Sequence, residues 1–425
     1  MKIKIFYGWY IVLAGFILTV YTGALFVYGW TVFVNPLLVA FGWGLTQISL
    51  ASSLHGLESG VFNFIWGGLA DRWSPKVLMI IGIVANATGI FLISRTTNLI
   101  TYYSGFLVMG IGSSLCTGVV PNVVIARWFR KDLGKAISIL SMGYGLGGIM
   151  VPLVRIYVDH FDWQNALLYS SIGLLVLGIP LAFIYRRRPA DYGLEPDGKP
   201  LEKDTPSGRA RNFDFGTSIR ASLKMRAFWH IAGLSLVQYA LTGAFMLYVV
   251  PYLTSPGIGM SRSNASMVAM VYSLVSLGYR IPLGILADRY PIKLMNAIAI
   301  GAMGTGLLAF AFIHAQGPLW LVIIFGLTYG FGVAGLMPLK TALLAEYFGT
   351  RNFGAVYGLN SIFVTAAVIS SPVLTAMAFD KWGDSFSLVW IAGAVLALIA
   401  VVLMLTMPAS VKHVAVEKDR IQPTA

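Results

Sequence analysis

Apolar residues run along this chain in long unbroken stretches, not in the alternating or one-faced patterns of elements that meet water. The runs 11–34, 77–93, 167–185, 321–339 and 388–407 stand out. Each approaches or exceeds the ~20 apolar residues that a membrane-crossing helix needs. Polar and Pro/Gly-rich breaks between such runs divide the chain into predicted spans at 10–34, 46–70, 76–94, 100–126, 135–158, 164–185, 227–253, 263–287, 292–314, 318–345, 353–377 and 386–407. The first break is placed at Asn35-Pro36, where proline is expected to end the helix. The stretch from Arg186 to Arg226 is polar and rich in proline, glycine and charge. It reads as a linker, with a short surface helix expected near 213–223. The expected division is a bundle over 1–185, the linker over 186–226, and a second bundle with a polar tail over 227–425.

Composition strengthens this picture. Hydrophobic residues are 57% of the 425 and charged residues only 11%, against roughly 25% charged in soluble domains. The net charge of +13 would suggest nucleic acid in a soluble protein. Here the positive residues gather in alternate loops. One set holds Lys2, Lys4, Arg72, Lys76, Arg127, Arg130, Lys131, Lys135, Arg186–Arg188, Arg289, Lys293, Arg351, Lys412, Lys418 and Arg420, and the other only Arg95, Arg155, Arg262 and Lys381. The positive-inside rule then puts both chain ends in the cytoplasm of an inner-membrane protein, and nucleic acid is not an expected partner. Lys2 and Lys4 precede an apolar stretch too long for a signal peptide, so the first helix is expected to be retained. The single cysteine, Cys116, lies in an apolar run and excludes an internal disulfide and a cysteine metal cluster.

The chain repeats itself. Gly67-Gly-Leu-Ala-Asp71-Arg72-Trp73 recurs as Gly284-Ile-Leu-Ala-Asp288-Arg289-Tyr290. Lys76 matches Lys293, and Pro121 matches Pro338 at the same spacing. A parallel repeat of this length implies two six-helix bundles related by an axis along the membrane normal. In each copy an aspartate at a helix end can hold a neighbouring helix N-terminus or a basic group, and the glycines let helices approach closely. Asp71, Arg72, Asp288 and Arg289 are therefore gating candidates.

The doubled motif, with twelve spans and a long central loop, resembles the major facilitator superfamily along the whole chain. That resemblance implies an all-α membrane protein of two pseudo-symmetric six-helix bundles, alternating access around a mid-membrane site. Three further segments look like the oxalate/formate antiporter family and the monocarboxylate transporters. They are Tyr28-Gly-Trp30-Thr-Val-Phe-Val-Asn35-Pro36, the run Arg127-Trp128-Phe129-Arg130-Lys131-Asp132-Leu133-Gly134 with Gly143-Tyr144-Gly145-Leu146-Gly147, and Arg280-Ile-Pro-Leu-Gly284. The linker run Arg188-Pro-Ala-Asp-Tyr-Gly-Leu-Glu-Pro-Asp-Gly198 is similar to bacterial members. The resemblance implies that Arg280 binds a carboxylate. Two positions depart from it. Asn360 stands where oxalate carriers have a lysine, and Ser276 where animal monocarboxylate carriers have an aspartate.

Read from the residues themselves, Arg280 lies about 25 Å along its helix from the outer end. A guanidinium there is costly unless it faces a cavity and meets an anion, and its planar fork suits a carboxylate. His55 and Glu58 share a helix face and are the expected proton-coupling pair. Lys340 either reaches toward the headgroups or supplies a second cation. Tyr28, Trp30, Tyr144, Tyr248 and Tyr329 are aromatics at cavity depth, and Asn122 and Asn360 are polar groups needing partners. The chain has no phosphate-cradling loop, nucleophile–base pair or metal-ligand cluster in its sequence, so no enzyme activity and no cofactor are expected. The expected function is secondary transport of a small monocarboxylate, working as a monomer in the lipid bilayer with protons or a counter-anion. A dicarboxylate exchanger and a transporter-like membrane sensor are the alternatives. Drug efflux is disfavoured, since the helix 4 arginine of proton/drug antiporters would fall at Phe106.

Overall fold

The structure is a computed structural model that describes residues 6–43, 45–198, 217–255, 257–382 and 386–408. Among the described residues the helical segments form twelve long helices, some of them broken by π turns or a bend, in two bundles of six. In the first bundle, α1 runs through Tyr7–Thr22, a wider π turn at Gly23–Tyr28, and Trp30–Phe41. Helix α2 is Leu45–Arg72, and α3 is Pro75–Ser94, entered through a proline in its first turn. Helix α4 runs through Leu99–Ser113, a second π turn at Ser114–Val119, and Val120–Trp128. Helix α5 joins Leu133–Ile149 to Val151–Phe161 across a bend of 53°, where Pro152 removes a ladder donor. Helix α6 is Trp163–Ala182. The second bundle holds α7 Arg226–Leu253, α8 Arg262–Arg289, α9 Ile292–Ala311, α10 Leu319–Phe348, α11 Phe353–Trp382 and α12 Phe386–Leu405.

Most of these helices show little amphipathicity, because a helix packed on protein on one side and lipid on the other is apolar all round. Large side chains such as Leu13, Val176, Ile324, Leu398 and Ile399 lie on the outside, as a lipid-facing surface requires. The inside is filled by aromatic clusters. Phe245, Phe310, Phe325, Tyr329 and Trp390 pack together in the second bundle. Trp30, Phe33, Tyr102 and Phe106 do so in the first.

Two expectations are corrected. Asn35-Pro36 is not a turn: Pro36 sits inside Trp30–Phe41, and the helix ends at Gly42 in the left-handed conformation (φ 64°), with its N–H on the Leu38 carbonyl. Proline removes one ladder bond but does not itself end a helix that tertiary packing supports, whereas a left-handed glycine does. The short linker helix is Ile219–Lys224, capped by the Ser218 side chain, rather than 213–223. Residues 199–216 lie outside the described part of the chain.

The bundles meet along a seam where α2 lies against α11 and α5 against α8. Glycine makes this contact possible. A methyl at Gly67 would overlap the Gly354 carbonyl oxygen, and one at Gly134 would lie 2.6 Å from the Gly284 carbonyl oxygen.

Candidate functional site

At the end of the seam that carries the linker, each repeated aspartate grips the helix start of the opposite bundle. The Asp71 carboxylate, at the end of α2, accepts from the N–H groups of Gly354 (3.2 Å) and Ala355 (3.1 Å) in the first turn of α11. The Asp288 carboxylate, at the end of α8, accepts from Gly134 (2.7 Å) and Lys135 (2.9 Å) in the first turn of α5. First-turn N–H groups have no partner within their own helix and carry the positive end of the helix dipole, so an anion is favoured there. Asp71 also pairs with the buried Arg127 at 2.6 Å, and Arg127 reaches the Ala70 carbonyl as well. In the second bundle the position matching Arg127 is Leu344, so the two latches are alike in their backbone bonds and differ in that arginine. Arg72 and Arg289 lie exposed beside them.

Further in, Arg280 of α8 crosses the seam and donates to the Ser141 carbonyl of α5. The phenols that interact electrostatically with its guanidinium are those of Tyr28, Tyr239 and Tyr144. Gly145 lies beside it: a methyl there would be in ordinary contact with the guanidinium, 3.6 Å from Nη1 and 3.7 Å from Cζ, and would crowd Leu277 at 2.7 Å. Lys340 of α10 is buried, with its ammonium 4.9 Å from the ring centroids of both Tyr239 and Tyr357. An aromatic face attracts a desolvated cation in place of water. Tyr239 thus interacts with both cations. Tyr144 in turn neighbours Tyr357 and Tyr28 and donates to the Thr117 carbonyl at 3.2 Å. The result is a cluster of four phenols and two cations drawn from α1, α5, α7, α8, α10 and α11. Both π turns serve it, since Tyr28 ends one and Thr117 lies in the other. A π turn adds a residue and re-aims the side chains beyond it.

The other sequence candidates fall elsewhere. Trp30 packs edge-on against Phe106 at 4.8 Å. Tyr329 is fully buried in the second aromatic cluster, 4.4 Å from Phe245. The Tyr248 hydroxyl donates to the Pro372 carbonyl, tying α7 to α11. Asn122 donates to the Gly118 carbonyl within α4, and the Asn360 oxygen accepts from Ser235 of α7 at 3.2 Å. His55 and Glu58 fall within α2, and their side chains lie outside what the structure describes. Tyr239, Tyr357 and Arg127 are the residues that sequence reasoning did not single out as site groups. Tyr357 carries a faint signal, as it lies one helical turn before Asn360.

A buried, aromatic-lined cationic site on the seam between two repeated bundles, latched at one end, defines a carrier of the twelve-helix type. The chain belongs to the Major Facilitator Superfamily, whose family model matches residues 13–331 and 250–423. Among curated proteins it is 27% identical to an agnestins efflux protein of Paecilomyces divaricatus, over 73% of this chain and 67% of that one. It is 24% identical to monocarboxylate transporter 12 of Xenopus laevis (89% and 84% covered) and 23% identical to the oxalate:formate antiporter of Oxalobacter formigenes (89% and 86%). Among solved structures, a bacterial homologue of the iron transporter ferroportin in its outward-facing state superposes with a TM-score of 0.71 at 15% identity, over 94% of this chain and 99% of that one.

Proposed function

We propose that this chain carries small monocarboxylates of the size of formate, lactate or pyruvate across the inner membrane by alternating access. A proton or a counter-anion is the coupled species. One observation carries the reading: Arg280 is a permanent cation held at the seam among phenols, with further N–H donors beyond the one given to Ser141. A carboxylate is the ligand that matches this fork and relieves the cost of its charge in the membrane. The loops at the latched end carry Lys76, Arg130, Lys131 and Arg186–Arg188, which supports a cytoplasmic assignment. Under that assignment the latched molecule is closed to the cytoplasm and receives its cargo from outside.

Lys340 favours a second reading. Two cations sharing Tyr239 suit an anion with two carboxylates, so a dicarboxylate exchanger remains in view on this specific ground. The test is counterflow in proteoliposomes preloaded with unlabelled formate, lactate, pyruvate, oxalate or malonate. Accumulation of labelled monocarboxylate against preloaded monocarboxylate is the expected result, and stronger exchange with oxalate or malonate selects the second reading. No counterflow above protein-free vesicles with any of them overturns both. Thermal stabilisation by an anion without counterflow would instead identify a sensor.

A further inference from the structure

The linker run that resembles bacterial members is a folded element, and the carrier reading leaves it without a task. Two residues ahead of that run, Arg186, where the linker begins, lies between the rings of Tyr7 (4.0 Å) and Tyr192 (4.2 Å), and its carbonyl accepts from the Trp128 indole at 3.0 Å. Arg187 donates to the backbone carbonyl of Asp71, the latch residue itself. The chain then turns at Gly193 in the left-handed conformation (φ 68°) and brings Asp197 back to the loop between α4 and α5. One Asp197 carboxylate oxygen accepts from the N–H groups of both Arg130 (2.8 Å) and Lys131 (2.7 Å). Asp197 is itself left-handed (φ 61°), a conformation that aspartate, asparagine and glycine tolerate best.

The other described end of the linker does the equivalent in the second bundle. Thr217 donates through its N–H (3.1 Å) and its hydroxyl (3.2 Å) to the Phe348 carbonyl, and Asn352 donates to the Thr217 carbonyl at 3.2 Å. Phe348 and Asn352 bound the loop between α10 and α11. The two ends of one linker therefore hold the two loops that lead into α5 and α11, the helices whose first turns the aspartate latches grip.

We infer that the linker is a strap that sets the strength of both latches, with Asp197 as its clasp and a positioning residue for the gate. The clasp fixes Arg130 and Lys131, each four residues ahead of one of the two N–H groups, those of Gly134 and Lys135, that Asp288 must meet. A loop freed from the clasp samples more backbone conformations, and the latch then has to order it before it closes. Cargo plays no part in this, so the inference stands or falls apart from the substrate proposal.

The test uses the full chain in liposomes without added ligand. Spin labels at the exposed positions Lys131 and Leu294 report the α5–α8 latch, and the native Cys116 is fully buried and stays unlabelled. Asp197→Gly removes the carboxylate while fitting the left-handed backbone, and Asp197→Asn keeps an acceptor there. The glycine variant is expected to shift the closed-to-open ratio about tenfold toward open, equivalent to about 1.4 kcal/mol, and the asparagine variant is expected to restore most of it. The thermal midpoint should move little, because the core is untouched. An unchanged distance distribution in Asp197→Gly overturns the inference and leaves the linker a tether. So does a loss of stability with no change in that ratio, since it assigns Asp197 a structural role alone. If Asp197→Gly does not fold, Thr217→Gly at the other end, with labels at Trp73 and Arg351, reads the same strap and carries the same two outcomes.

Discussion

At the scale of the residue, the two buried cations are held in different ways, and this separates their expected roles. Arg280 spends one donor on a backbone carbonyl across the seam, while Lys340 lies against the phenols of Tyr239 and Tyr357, rings and hydroxyls together. Arg280→Lys keeps the charge and loses the fork, so uptake is expected to fall by about tenfold or more while the thermal midpoint holds. Counterflow and a melting curve on the same preparation check this. Lys340→Met is expected to spare monocarboxylate exchange and to weaken oxalate exchange severalfold, read as a ratio of the two initial rates. Arg280 was legible in the sequence because a charge inside an apolar run has to be explained. Tyr239 and Tyr357 were not, since a tyrosine in a membrane helix looks the same whether it covers a cation or fills a core. Tyr329 shows the other side of that ambiguity: its sequence setting suggested the cavity, and it lies in the aromatic cluster of the second bundle.

At the scale of the element, the spans were legible and their irregularities were not. Apolar run length sets where a helix enters and leaves the bilayer, so the span boundaries lie close to those read from the sequence. The π turns at Gly23–Tyr28 and Ser114–Val119 leave no such trace, because they depend on what the neighbouring helices offer the displaced backbone groups. Pro36 misled for a related reason, as the helix around it is sustained by its packing. The glycine seam carries the element-level prediction. Gly67→Ala places a methyl against the Gly354 carbonyl oxygen, and backbone cannot swing aside as a side chain can. Helices α2 and α11 are expected to separate at the latched end, lengthening the distance between spin labels at the exposed Trp73 and Arg351. The protein should remain folded, because the rest of each bundle is unaffected.

At the scale of the whole molecule, the repeat produces two latches, and Asp71 shows that a latch can also carry stability. Removing it strands Arg127, which is 4% exposed. An uncompensated buried charge of this kind costs about 3–5 kcal/mol. Asp71→Ala is therefore expected to lower the thermal midpoint sharply. Replacing the pair together, as Asp71→Leu with Arg127→Met, should recover most of that stability and still leave α11 unlatched, so melting and label distances part company only in the double variant. The aspartates and the kind of partner they take, a helix N-terminus or a basic group, were legible from the doubled motif, yet which helix each would meet was not. Backbone N–H groups leave no mark on a sequence, and only the folded seam shows which helix start each carboxylate meets.

The glycine seam has a further consequence, for how the molecule responds to heat and cold. Where Gly67 meets Gly354 and Gly134 meets Gly284, main chain lies on main chain. Long side chains typically forfeit up to about 2 kcal/mol of rotational freedom when they are fixed, and glycine has none to forfeit. Closing this face thus orders almost nothing at the points of closest approach, and the latch bonds supply the directionality. At these points of contact, the balance between closed and open molecules should carry little side-chain entropy and so little temperature dependence from that source.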